Sequence, residues 1–398
     1  MKEYYLDHAA TTYVKPEVLD AMLPFFGDNF ANPSSMYKIA KDSRVAVEYA
    51  RKQVADAIGA DVNEIYFTSG GSEADNLLIK GYARTNKAKG NHIITSKIEH
   101  MAVLETCKML EKEGFEVTYL NVDENGFVDF DELKRSIKSQ TILISIMFAN
   151  NEIGTIQPVD EIAKIAKQND ILFHTDAVQA VGNLKIDVKR MDIGALSLSA
   201  HKFYGPKGVG ALYIRKEYDF QPIISGGHQE KNKRAGTENV PGIVGMGKAI
   251  ELAINELEKN SEKLTKIRDK YIEKIFEKIP DVKLNGDRNN RLPGNVNITF
   301  RGVGGASLLL MLSEDKIYVS SGSACTAGLA APSHVLKAIG LRDDMANGAL
   351  RVTFGENNSE ADLDYIVDKI AKNVSKLRKL KKWKTTNITE ILQKYYIS

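Results

Sequence analysis

Lys202 is the side chain whose sequence surroundings are best suited to covalent chemistry. It lies in Ser197–Gly208 (SLSAHKFYGPKG), where an apolar run ends in hydroxyl, imidazole and amine side chains and then turns on glycines. A strand over Ala195–Ser199 would place Lys202 just beyond its carboxyl end, where open α/β sheets bind their ligands. A lysine amine in that position is suited to hold pyridoxal phosphate (PLP) covalently. A lone lysine, in contrast, is usually a solvated surface residue.

A second apolar segment, Ile171–Ala177 (ILFHTDA), carries a carboxylate at the end of its predicted strand. This residue, Asp176, stands 26 positions before Lys202. PLP works with its pyridine nitrogen protonated, and a carboxylate is the partner that this nitrogen requires. The two strand-end residues together therefore predict a PLP site, which neither residue would predict alone.

A phosphate group could be held by the segment Thr68–Glu73 (TSGGSE). It stands between a predicted strand and a helix beginning near Ala74, so that backbone N–H groups, two glycines and two hydroxyls meet at a helix N-terminus. Such a terminus binds phosphate. An ordinary helix cap, with a glutamate in the first turn, accounts for the same residues equally well.

The chain has two cysteines, Cys107 and Cys325. Two are too few for a disulfide framework or a cysteine-rich metal site, so no metal is expected. Cys325 stands in Ser320–Pro332 (SSGSACTAGLAAP), whose small residues show no apolar period, and this predicts an accessible nucleophile on a loop. Cys107 lies in an amphipathic helix over 102–113 and is predicted to be a small core residue.

The segments that must position these residues alternate between strand and helix patterns. This alternation predicts a parallel sheet that is buried on both faces. Six short apolar segments between residues 59 and 212 are the predicted strands: Glu64–Thr68, His92–Ser96, Phe115–Leu120, Thr141–Phe148, Ile171–Asp176 and Ala195–Ser199.

A chain of 398 residues is long for one domain and suits a large domain with a smaller one. The charged amphipathic stretch over 248–279 contains no glycine or proline and predicts one long helix leaving the large domain. Strands at Gly294–Phe300 and Leu350–Phe354, with a helix near Ser307–Leu312, predict the second domain.

The overall composition excludes several classes of partner. A net charge of +2 argues against nucleic acid as the main partner. The N-terminus has no basic and apolar signal-peptide pattern, and the longest apolar runs are of strand length, far below a membrane span. We therefore expect a soluble, cytoplasmic protein that does not bind membranes.

The motifs of this chain resemble those of the class V aminotransferase-like enzymes and, within them, the NifS/IscS-type cysteine desulfurases. The resemblance covers all but the C-terminal tail, and it is carried by Tyr5–Thr12 (YLDHAATT), Asn32–Ser35 (NPSS), Phe67–Glu73 (FTSGGSE), Asn150–Gly154 (NNEIG), Ser320–Cys325 (SSGSAC) and the Lys202 segment. It implies the aspartate aminotransferase-like fold of PLP-dependent transferases, an α/β fold. The large PLP-binding domain, with its mainly parallel sheet, would comprise 17–250, and a smaller α+β domain 1–16 and 251–398.

The resemblance also implies roles for individual residues around PLP. Lys202 would carry the cofactor, Asp176 would contact its ring nitrogen, and His100 would stack on its ring and handle protons. Asn151 and Gln179 would hold the ring oxygen. The phosphate contacts would be Gly71, Ser72, Ser199, His201 and, from a neighbouring subunit, Thr237.

Two further roles follow from the resemblance, together with alternatives drawn from the residues alone. Arg351 would bind the substrate carboxylate, joined by Asn151, and Thr237 implies a homodimer with shared sites. From the residues alone, Arg351 is a surface or core ion-pair arginine, and an isolated histidine such as His100 is more often a hydrogen-bonded structural residue. By the same reasoning Asn151 and Gln179 are equally plain loop amides.

The activity that the resemblance implies is desulfuration of L-cysteine to L-alanine, leaving a persulfide on Cys325 for a sulfur-accepting protein such as an iron–sulfur cluster scaffold. A selenocysteine lyase or another class V aminotransferase-like enzyme is the alternative in this class. The alternative from a different functional class is a catalytically inactive protein that serves as a docking scaffold. The basic C-terminal helical pattern beyond Leu363 favours a docked helix with a solvated face over a docking surface for the acceptor.

The chain departs from the family pattern at a few positions. Gly226–Asn232 (GGHQEKN) replaces the usual GGGQERG, and Tyr37 and Phe148 stand where histidine is common. The PLP-binding and nucleophile positions are all retained, so these departures bear on catalytic efficiency and on the identity of the acceptor.

Overall fold

The computed structural model describes residues 2–321 and 332–396, with side chains up to Leu380. Its contacts divide the chain into two compact units. The larger unit comprises Ala9–Asn151 and Thr155–Ser261, and the smaller unit comprises the described parts of Met1–His8, Glu152–Gly154 and Glu262–Ser398. Compact units in a contact map are not necessarily domains that fold independently. The domain boundaries expected from the sequence therefore stay a prediction.

Short strands and mostly longer helices follow one another along the chain. In chain order, the strands are β1 Tyr4–Tyr5, β2 Ile65–Thr68, β3 His92–Ser96, β4 Glu116–Leu120, β5 Thr141–Ser145, β6 Leu172–Asp176, β7 Ala195–Ser199, β8 Gly210–Ile214, β9 Val282–Leu284, β10 Asn295–Phe300, β11 Ile317–Tyr318 and β12 Ala349–Thr353. The helices are α1 Pro16–Met22, α2 Ala40–Ile58, α3 Gly71–Thr85, α4 Met101–Lys112, α5 Phe130–Ser136, α6 Val159–Gln168, α7 Gln229–Asn232, α8 Val240–Asn255, α9 Leu257–Lys278, α10 Gly305–Glu314, α11 His334–Ala338, α12 Asp343–Ala346 and α13 Leu363–Tyr396.

A seven-stranded sheet in the order β2-β8-β7-β6-β5-β3-β4 forms the centre of the larger unit. Strands β3 to β7 run parallel, whereas β8 is antiparallel to both β2 and β7. The expectation of a mainly parallel α/β sheet is confirmed. Since β6 and β7 are parallel neighbours, with Asp176 paired to Ser197, their carboxyl ends open at the same edge of the sheet.

Two apolar clusters cover the sheet. Ile93 and Ile94 are adjacent on β3 and belong to different clusters, and successive side chains of a strand point to opposite faces. The sheet is therefore buried on both sides, which explains why every residue of β3, β5, β6, β7 and β8 is buried.

The smaller unit combines short sheets with helices around its own core. Strands β12, β10 and β9 form an antiparallel sheet, and β1 pairs with β11 in parallel. Buried side chains of α9, α10 and α13, including Tyr271, Leu308 and Ile370, pack with Val296 and Phe300 of β10. This unit has the α+β character expected from the sequence.

The prediction of one helix over 248–279 is wrong. Helix α8 ends at Asn255 and α9 begins at Leu257, with Glu256 between them at φ −102° and ψ 2°. The Glu256 carboxylate accepts a hydrogen bond from Nζ of Lys15 at 2.7 Å. No glycine or proline marks the break, so nothing in the local sequence signals it.

Cys325 lies in segment 322–331, outside the described residues, so its accessibility stays a prediction. Across the part of the chain that the structure describes, no helix combines the length and the apolar character that crossing a membrane requires.

Candidate active site

Lys202 lies at the end of a 3₁₀ turn that directly follows β7. Its Nζ donates hydrogen bonds to the carbonyl oxygens of Ala9, at 2.5 Å, and Ala10, at 2.7 Å. The side-chain amide of Gln179 donates to the same Ala9 carbonyl at 3.0 Å. Two residues predicted to contact the cofactor, 23 positions apart in the chain, thus meet at one backbone group.

Asp176 is the last residue of β6 and is 6% exposed. Burial raises the pKa of its carboxyl, while the nearby charges of His100 and Lys202 and a hydrogen bond from the Val178 N–H oppose this rise. These interactions place His100 and Lys202 each within electrostatic reach of Asp176. A buried carboxylate with a raised pKa is a strong partner for a protonated ring nitrogen.

Two further titratable groups lie behind Asp176. Burial raises the pKa of Asp75 well above its usual range, the charge of Asp176 raises it further, and a hydrogen bond from Ser197 opposes the rise. Burial also lowers the pKa of His174 to about 3, and its ring nitrogens bond the hydroxyls of Ser145 at 2.9 Å and Ser197 at 3.0 Å. His174 is therefore neutral near pH 7, and burial favours the protonated form of Asp75 beside Asp176.

Glu99 is a buried acid directly before His100. Its Oε1 accepts hydrogen bonds from the Ser96 hydroxyl at 2.6 Å and the Met147 N–H at 3.0 Å. Burial nevertheless raises the pKa of the Glu99 carboxyl to about 8, since these hydrogen bonds compensate only part of the lost hydration. The carboxyl is thus largely protonated in the folded protein at neutral pH.

We expect Glu99→Gln to stabilise the protein increasingly as the pH rises from about 5 to about 8. The raised pKa means that the folded state binds this proton more tightly than the unfolded state, so wild-type stability falls as the pH rises through this window. Glutamine does not titrate, and each pH unit within the window corresponds to about 1.4 kcal/mol at most. Melting temperatures of variant and wild type measured at pH 5, 6, 7 and 8 test this.

The matched control for this measurement is Glu124→Gln, which neutralises an exposed carboxylate. We expect the difference between Glu124→Gln and wild type to stay nearly constant over the same pH range. A constant difference for Glu99→Gln as well would contradict a buried, protonated Glu99.

A cavity of about 330 Å³ opens at the N-terminus of α3. Gly70 precedes the helix at φ 154°, a conformation that side chains rarely adopt, and a Cβ on Gly71 would come within 2.5 Å of Val178. Only glycine at positions 70 and 71 therefore allows the backbone to adopt this turn at the edge of the cavity. The residues lining it are Thr11, Ser69, Gly70, Gly71, Ser72, Glu73, Ser199, His201, Lys207 and Gly208.

The charges around this cavity favour an anion. Lys207 contributes a cation, and the helix N-terminus directs N–H groups into it. The Glu73 carboxylate accepts from the Ser69 N–H at 2.8 Å and forms an ion pair with Arg234 at 2.9 Å, which offsets its negative charge. The predicted phosphate residues Gly71, Ser72, Ser199 and His201 all lie here, so the chain fits the phosphate of PLP.

His201 acts as a neutral group in this cavity. Burial, together with the charges of Lys202 and Lys207, lowers the pKa of its ring to about 4. Its Nδ1 lies 3.1 Å from the Thr11 hydroxyl. His201 is therefore suited to hydrogen bonding with an anion, while Lys207 supplies the positive charge.

His100 and Asn151 follow neighbouring strands of the sheet. His100 caps α4, with its Nδ1 accepting the Ala102 N–H at 3.2 Å. Asn151 is half-buried, and the amide of the preceding Asn150 donates to the Ile98 carbonyl at 2.9 Å. This hydrogen bond joins the loop after β3 to the loop after β5.

Neither Thr237 nor Arg351 lines the cavity. Thr237 is exposed. Arg351 belongs to β12 of the smaller unit, where Nη2 of its guanidinium is paired with Asp7 Oδ1 at 2.8 Å. Cys325 lies outside the described residues.

Four residues of this region were missed from the sequence. Lys207 and Thr11 line the cavity, and Lys207 stands within the same glycine-rich segment as Lys202, which was a usable signal. Asp75 and Glu99 are buried acids near Asp176. Asp75 stands three positions after Ser72, and Glu99 directly precedes His100. These positions were the only local hint, because acidic residues are normally exposed.

Similarity to known proteins extends over nearly the whole chain. Residues 4–366 match the family model of class-V aminotransferases. The chain is 55% identical over 381 residues to the cysteine desulfurase IscS of Clostridium botulinum, covering 95% of this chain and 96% of that protein. It is 56% identical over 379 residues to the IscS of Methanosarcina thermophila, covering 95% and 94%.

Solved structures give the same similarity. A NifS-like protein superposes with a TM-score of 0.89 at 38% identity, over 94% of this chain and 100% of that chain. The apo structure of a cysteine desulfurase from Thermococcus onnurineus NA1 superposes with a TM-score of 0.84 at 27% identity, over 94% and 95%.

Proposed function

The chain belongs to the class-V aminotransferase family and, within it, to the cysteine desulfurases, and on this premise we propose that it removes the sulfur of L-cysteine. The products are L-alanine and a persulfide on Cys325. The enzymes of this family depend on PLP, and PLP is the cofactor of this protein.

The observation that carries the proposal is the convergence of three features at the carboxyl ends of β6 and β7. These are the buried carboxylate of Asp176, the amine of Lys202 and the anion cavity that reaches Ser199. A cation-lined cavity beside a lysine and a buried acid matches the phosphate, aldehyde and ring nitrogen of one molecule of PLP.

The residues of this chain then divide the chemistry between them. Bound PLP withdraws electrons from the substrate Cα through its protonated ring. Asp176 keeps the proton on the ring nitrogen, and Gly71, Ser72 and His201 hold the phosphate. Lys202 would hold the cofactor through Nζ, and its amine would also serve as the general base that takes the Cα proton.

Sulfur leaves the substrate by nucleophilic attack of the Cys325 thiolate. A sulfur–sulfur bond forms while the Cβ–S bond of the substrate breaks, and the electron pair of the broken bond stays with Cβ. Protonation of Cβ produces the methyl group of alanine, and Cys325 retains the persulfide. No external oxidant is needed, because the sulfur is oxidised as the carbon is reduced.

Arg351 is proposed to bind the substrate carboxylate. It is 5% exposed, and its ion pair with Asp7 holds one side of the guanidinium in place. A planar guanidinium presents its donors in a rigid fork whose geometry matches a carboxylate. Asp7 therefore fixes the direction from which Arg351 presents its donors.

We expect Asp7→Ala to raise the KM for L-cysteine about tenfold while lowering kcat less than about threefold, because the substrate carboxylate meets a misdirected guanidinium. Asp7→Asn retains an acceptor oxygen for the Nη2 of Arg351 and should give an intermediate KM. Steady-state alanine production measures both constants. Unchanged KM values in both variants would exclude Asp7 from orienting Arg351.

The test of the proposed activity is product analysis. Purified enzyme with PLP should release L-alanine from L-cysteine, with sulfide appearing in equal amount when a thiol reductant is present. Keto-acid formation in place of alanine would identify an aminotransferase. Strict dependence on selenocysteine would identify a lyase of that class, and no turnover with any of these substrates would favour a scaffold.

We also propose that the enzyme is a homodimer in which Thr237 completes the phosphate site of the partner. In support, Thr237 is exposed, and the Arg234–Glu73 ion pair ties its segment to the rim of the anion cavity. Mixing Lys202→Ala with Thr237→Ala tests this: after random subunit exchange about a quarter of the sites are intact, so activity should exceed that of either variant alone. Full wild-type activity in a monomer would contradict the proposal.

The sulfur acceptor and the compartment belong to the same proposal. The relatives named IscS suggest an iron–sulfur cluster scaffold as the acceptor of the persulfide. The Cys325 nucleophile must be a free thiol, and a reducing compartment keeps cysteines in this form, so we propose the cytoplasm. Mass spectrometry of proteins that receive labelled sulfur from the enzyme would identify the acceptor.

A further inference from the structure

Strand β2 leads into the turn at the N-terminus of α3, and it is the first strand in the order of the seven-stranded sheet. Among the described strands, only β8 pairs with it. In an antiparallel pair the backbone groups of alternate residues point away from the partner strand, and at the edge of a sheet they need other hydrogen-bond partners. The outer edge of β2 must therefore be satisfied by something other than a strand.

A buried ion pair supplies these partners. Nη1 of Arg51 on α2 donates to the Ile65 carbonyl at 3.0 Å, and Oε2 of Glu230 accepts the Phe67 N–H at 2.8 Å. The guanidinium also donates to both oxygens of the Glu230 carboxylate, each at 2.8 Å. Arg51 is 4% and Glu230 is 7% exposed. The pair thus takes the place of a neighbouring strand along the edge of β2.

The backbone around Glu230 is strained. Glu230, Lys231 and Asn232 have φ values of 44°, 58° and 67°, in the left-handed region that is unfavourable for residues other than glycine. His228 Nδ1 lies 2.6 Å from Asn232 Oδ1 across this turn. Such strain persists only where the surrounding structure imposes it, and it is commonest at functional sites. The strained turn therefore indicates that the position of the Glu230 carboxylate matters to the protein.

The anion cavity begins two residues after Phe67, where Ser69 and Gly70 line it. Oγ1 of Thr68 donates to the Gly70 carbonyl at 3.0 Å within this turn. A Cβ on Gly210 of β8 would lie 2.7 Å from the Gly70 backbone. Strand β8 therefore supports one side of the turn, and the ion pair fixes the strand that enters it.

Stability alone is a weak explanation for this ion pair. Well-packed apolar side chains can often replace a buried pair without loss of stability, because the cost of removing two charges from water offsets most of their attraction. What a pair with two parallel hydrogen bonds adds is a fixed orientation of both groups. The pair between Arg51 and Glu230 is therefore suited to hold β2 in one position.

We propose that Arg51 and Glu230 are positioning residues for the phosphate of PLP, which hold the end of β2 so that the N–H groups of the following turn converge on the phosphate. The inference rests on the part of the proposed function in which Gly71 and Ser72 hold that phosphate. Neither Arg51 nor Glu230 lines the cavity, so both act through β2. Donors that are already in place bind an anion without the cost of ordering them.

The test compares two double variants of the full-length protein. Arg51→Met with Glu230→Met, the methionine pair, removes both charges and both hydrogen bonds to β2. Arg51→Gln with Glu230→Gln, the glutamine pair, keeps a donor for the Ile65 carbonyl and an acceptor for the Phe67 N–H. We expect the Kd for PLP, from absorbance titration of PLP-free protein, to rise about tenfold in the methionine pair and to stay within about threefold of wild type in the glutamine pair.

Pyridoxal provides a readout that a merely structural role would not move in this way. It has the ring and aldehyde of PLP without the phosphate. A loss confined to the phosphate contact leaves the Kd for pyridoxal within about twofold of wild type, so the preference for PLP over pyridoxal should fall about tenfold in the methionine pair. Equal weakening of both compounds would show a general loosening of the site and would overturn the inference.

Arg84→Met with Glu113→Met is the matched control. Arg84 lies near the C-terminal end of α3, and its guanidinium also makes two hydrogen bonds to one carboxylate, at 3.0 Å and 2.6 Å. These two side chains are 34% and 32% exposed. Their loss removes a pair of the same type away from β2, so the Kd values for PLP and pyridoxal should both stay within about twofold of wild type.

A single variant covers the case in which the methionine pair does not fold. Arg51→Lys keeps a charge for Glu230, but an ammonium lacks the planar fork that bonds both carboxylate oxygens and the Ile65 carbonyl together. A loss of at least about threefold in the preference for PLP over pyridoxal supports the positioning role. An unchanged preference in Arg51→Lys, or in a folded methionine pair, overturns it.

Ser72→Ala distinguishes failure of this inference from failure of the proposed phosphate site. If Ser72→Ala leaves the preference for PLP over pyridoxal unchanged, the phosphate site has been misassigned and the positioning role is wrong with it. If Ser72→Ala lowers the preference but the folded methionine pair does not, the proposed function stands and only the positioning role is overturned. A lowered preference in both variants supports both.

Discussion

Lys202→Ala is expected to abolish both the covalent attachment of PLP and the desulfuration of cysteine. The Nζ of Lys202 is the amine held at the Ala9 and Ala10 carbonyls beside Asp176, and alanine offers neither an attachment point nor a base for the Cα proton. Loss of a positioned base alone lowers a rate by about 10²- to 10⁴-fold, and loss of the anchor adds to it. Borohydride reduction, digestion and mass spectrometry locate the attached cofactor.

Lys207→Ala is the matched control for Lys202→Ala. Lys207 is the second lysine of the same segment and lines the anion cavity, so its removal should weaken PLP binding without removing the attachment. In that variant the reduced adduct should still be found on Lys202. An adduct on Lys207 or on any other lysine in Lys202→Ala protein would show that the anchor has been misassigned.

Cys325→Ser is expected to lose sulfide and alanine production by about 10³-fold or more, because a hydroxyl is a far weaker nucleophile toward sulfur than a thiolate. PLP binding and the spectral change on adding cysteine should persist, since Lys202 and Asp176 are unchanged. Alanine and sulfide assays measure the loss of activity, and absorption spectra before and after adding cysteine measure the retained PLP binding.

Cys107→Ala provides the control for the thiol. Cys107 is fully buried in an apolar cluster with Leu77 and Leu110, and burial raises the pKa of its thiol to about 12. It cannot serve as a thiolate at neutral pH, so the variant should desulfurate at nearly the wild-type rate. Persulfide sulfur found on Cys107, or normal alanine release by Cys325→Ser, would contradict the assignment of the nucleophile.

The sequence by itself determined the elements that carry the chemistry. The strands ending at Asp176 and Ser199 were predicted within one residue of their observed bounds, because apolar runs that stop at polar residues mark buried parallel strands. The strand-to-helix turn at Gly70 and Gly71 was found from its glycines and hydroxyls. Parallel strands open at one edge of a sheet, so these local signals were sufficient to predict a PLP site.

Tertiary structure decided how these elements are supported. Insertion of β8 antiparallel between β2 and β7 and the break at Glu256 have no local signal that sequence analysis recognised. The buried proton of Glu99 depends on the packing around it, since the same residue on a surface would be ionised.

The contacts that orient the reacting groups were likewise beyond the reach of local sequence patterns. Gln179 and Lys202 meet at Ala9, across separations of 170 and 193 positions. Periodicity and turn signals extend over one element at a time, whereas these pairs exist only once the chain has folded. The sequence thus determined which side chains could react, and the tertiary structure decided what holds them in place, because hydrogen bonds between distant residues are specified by topology and packing.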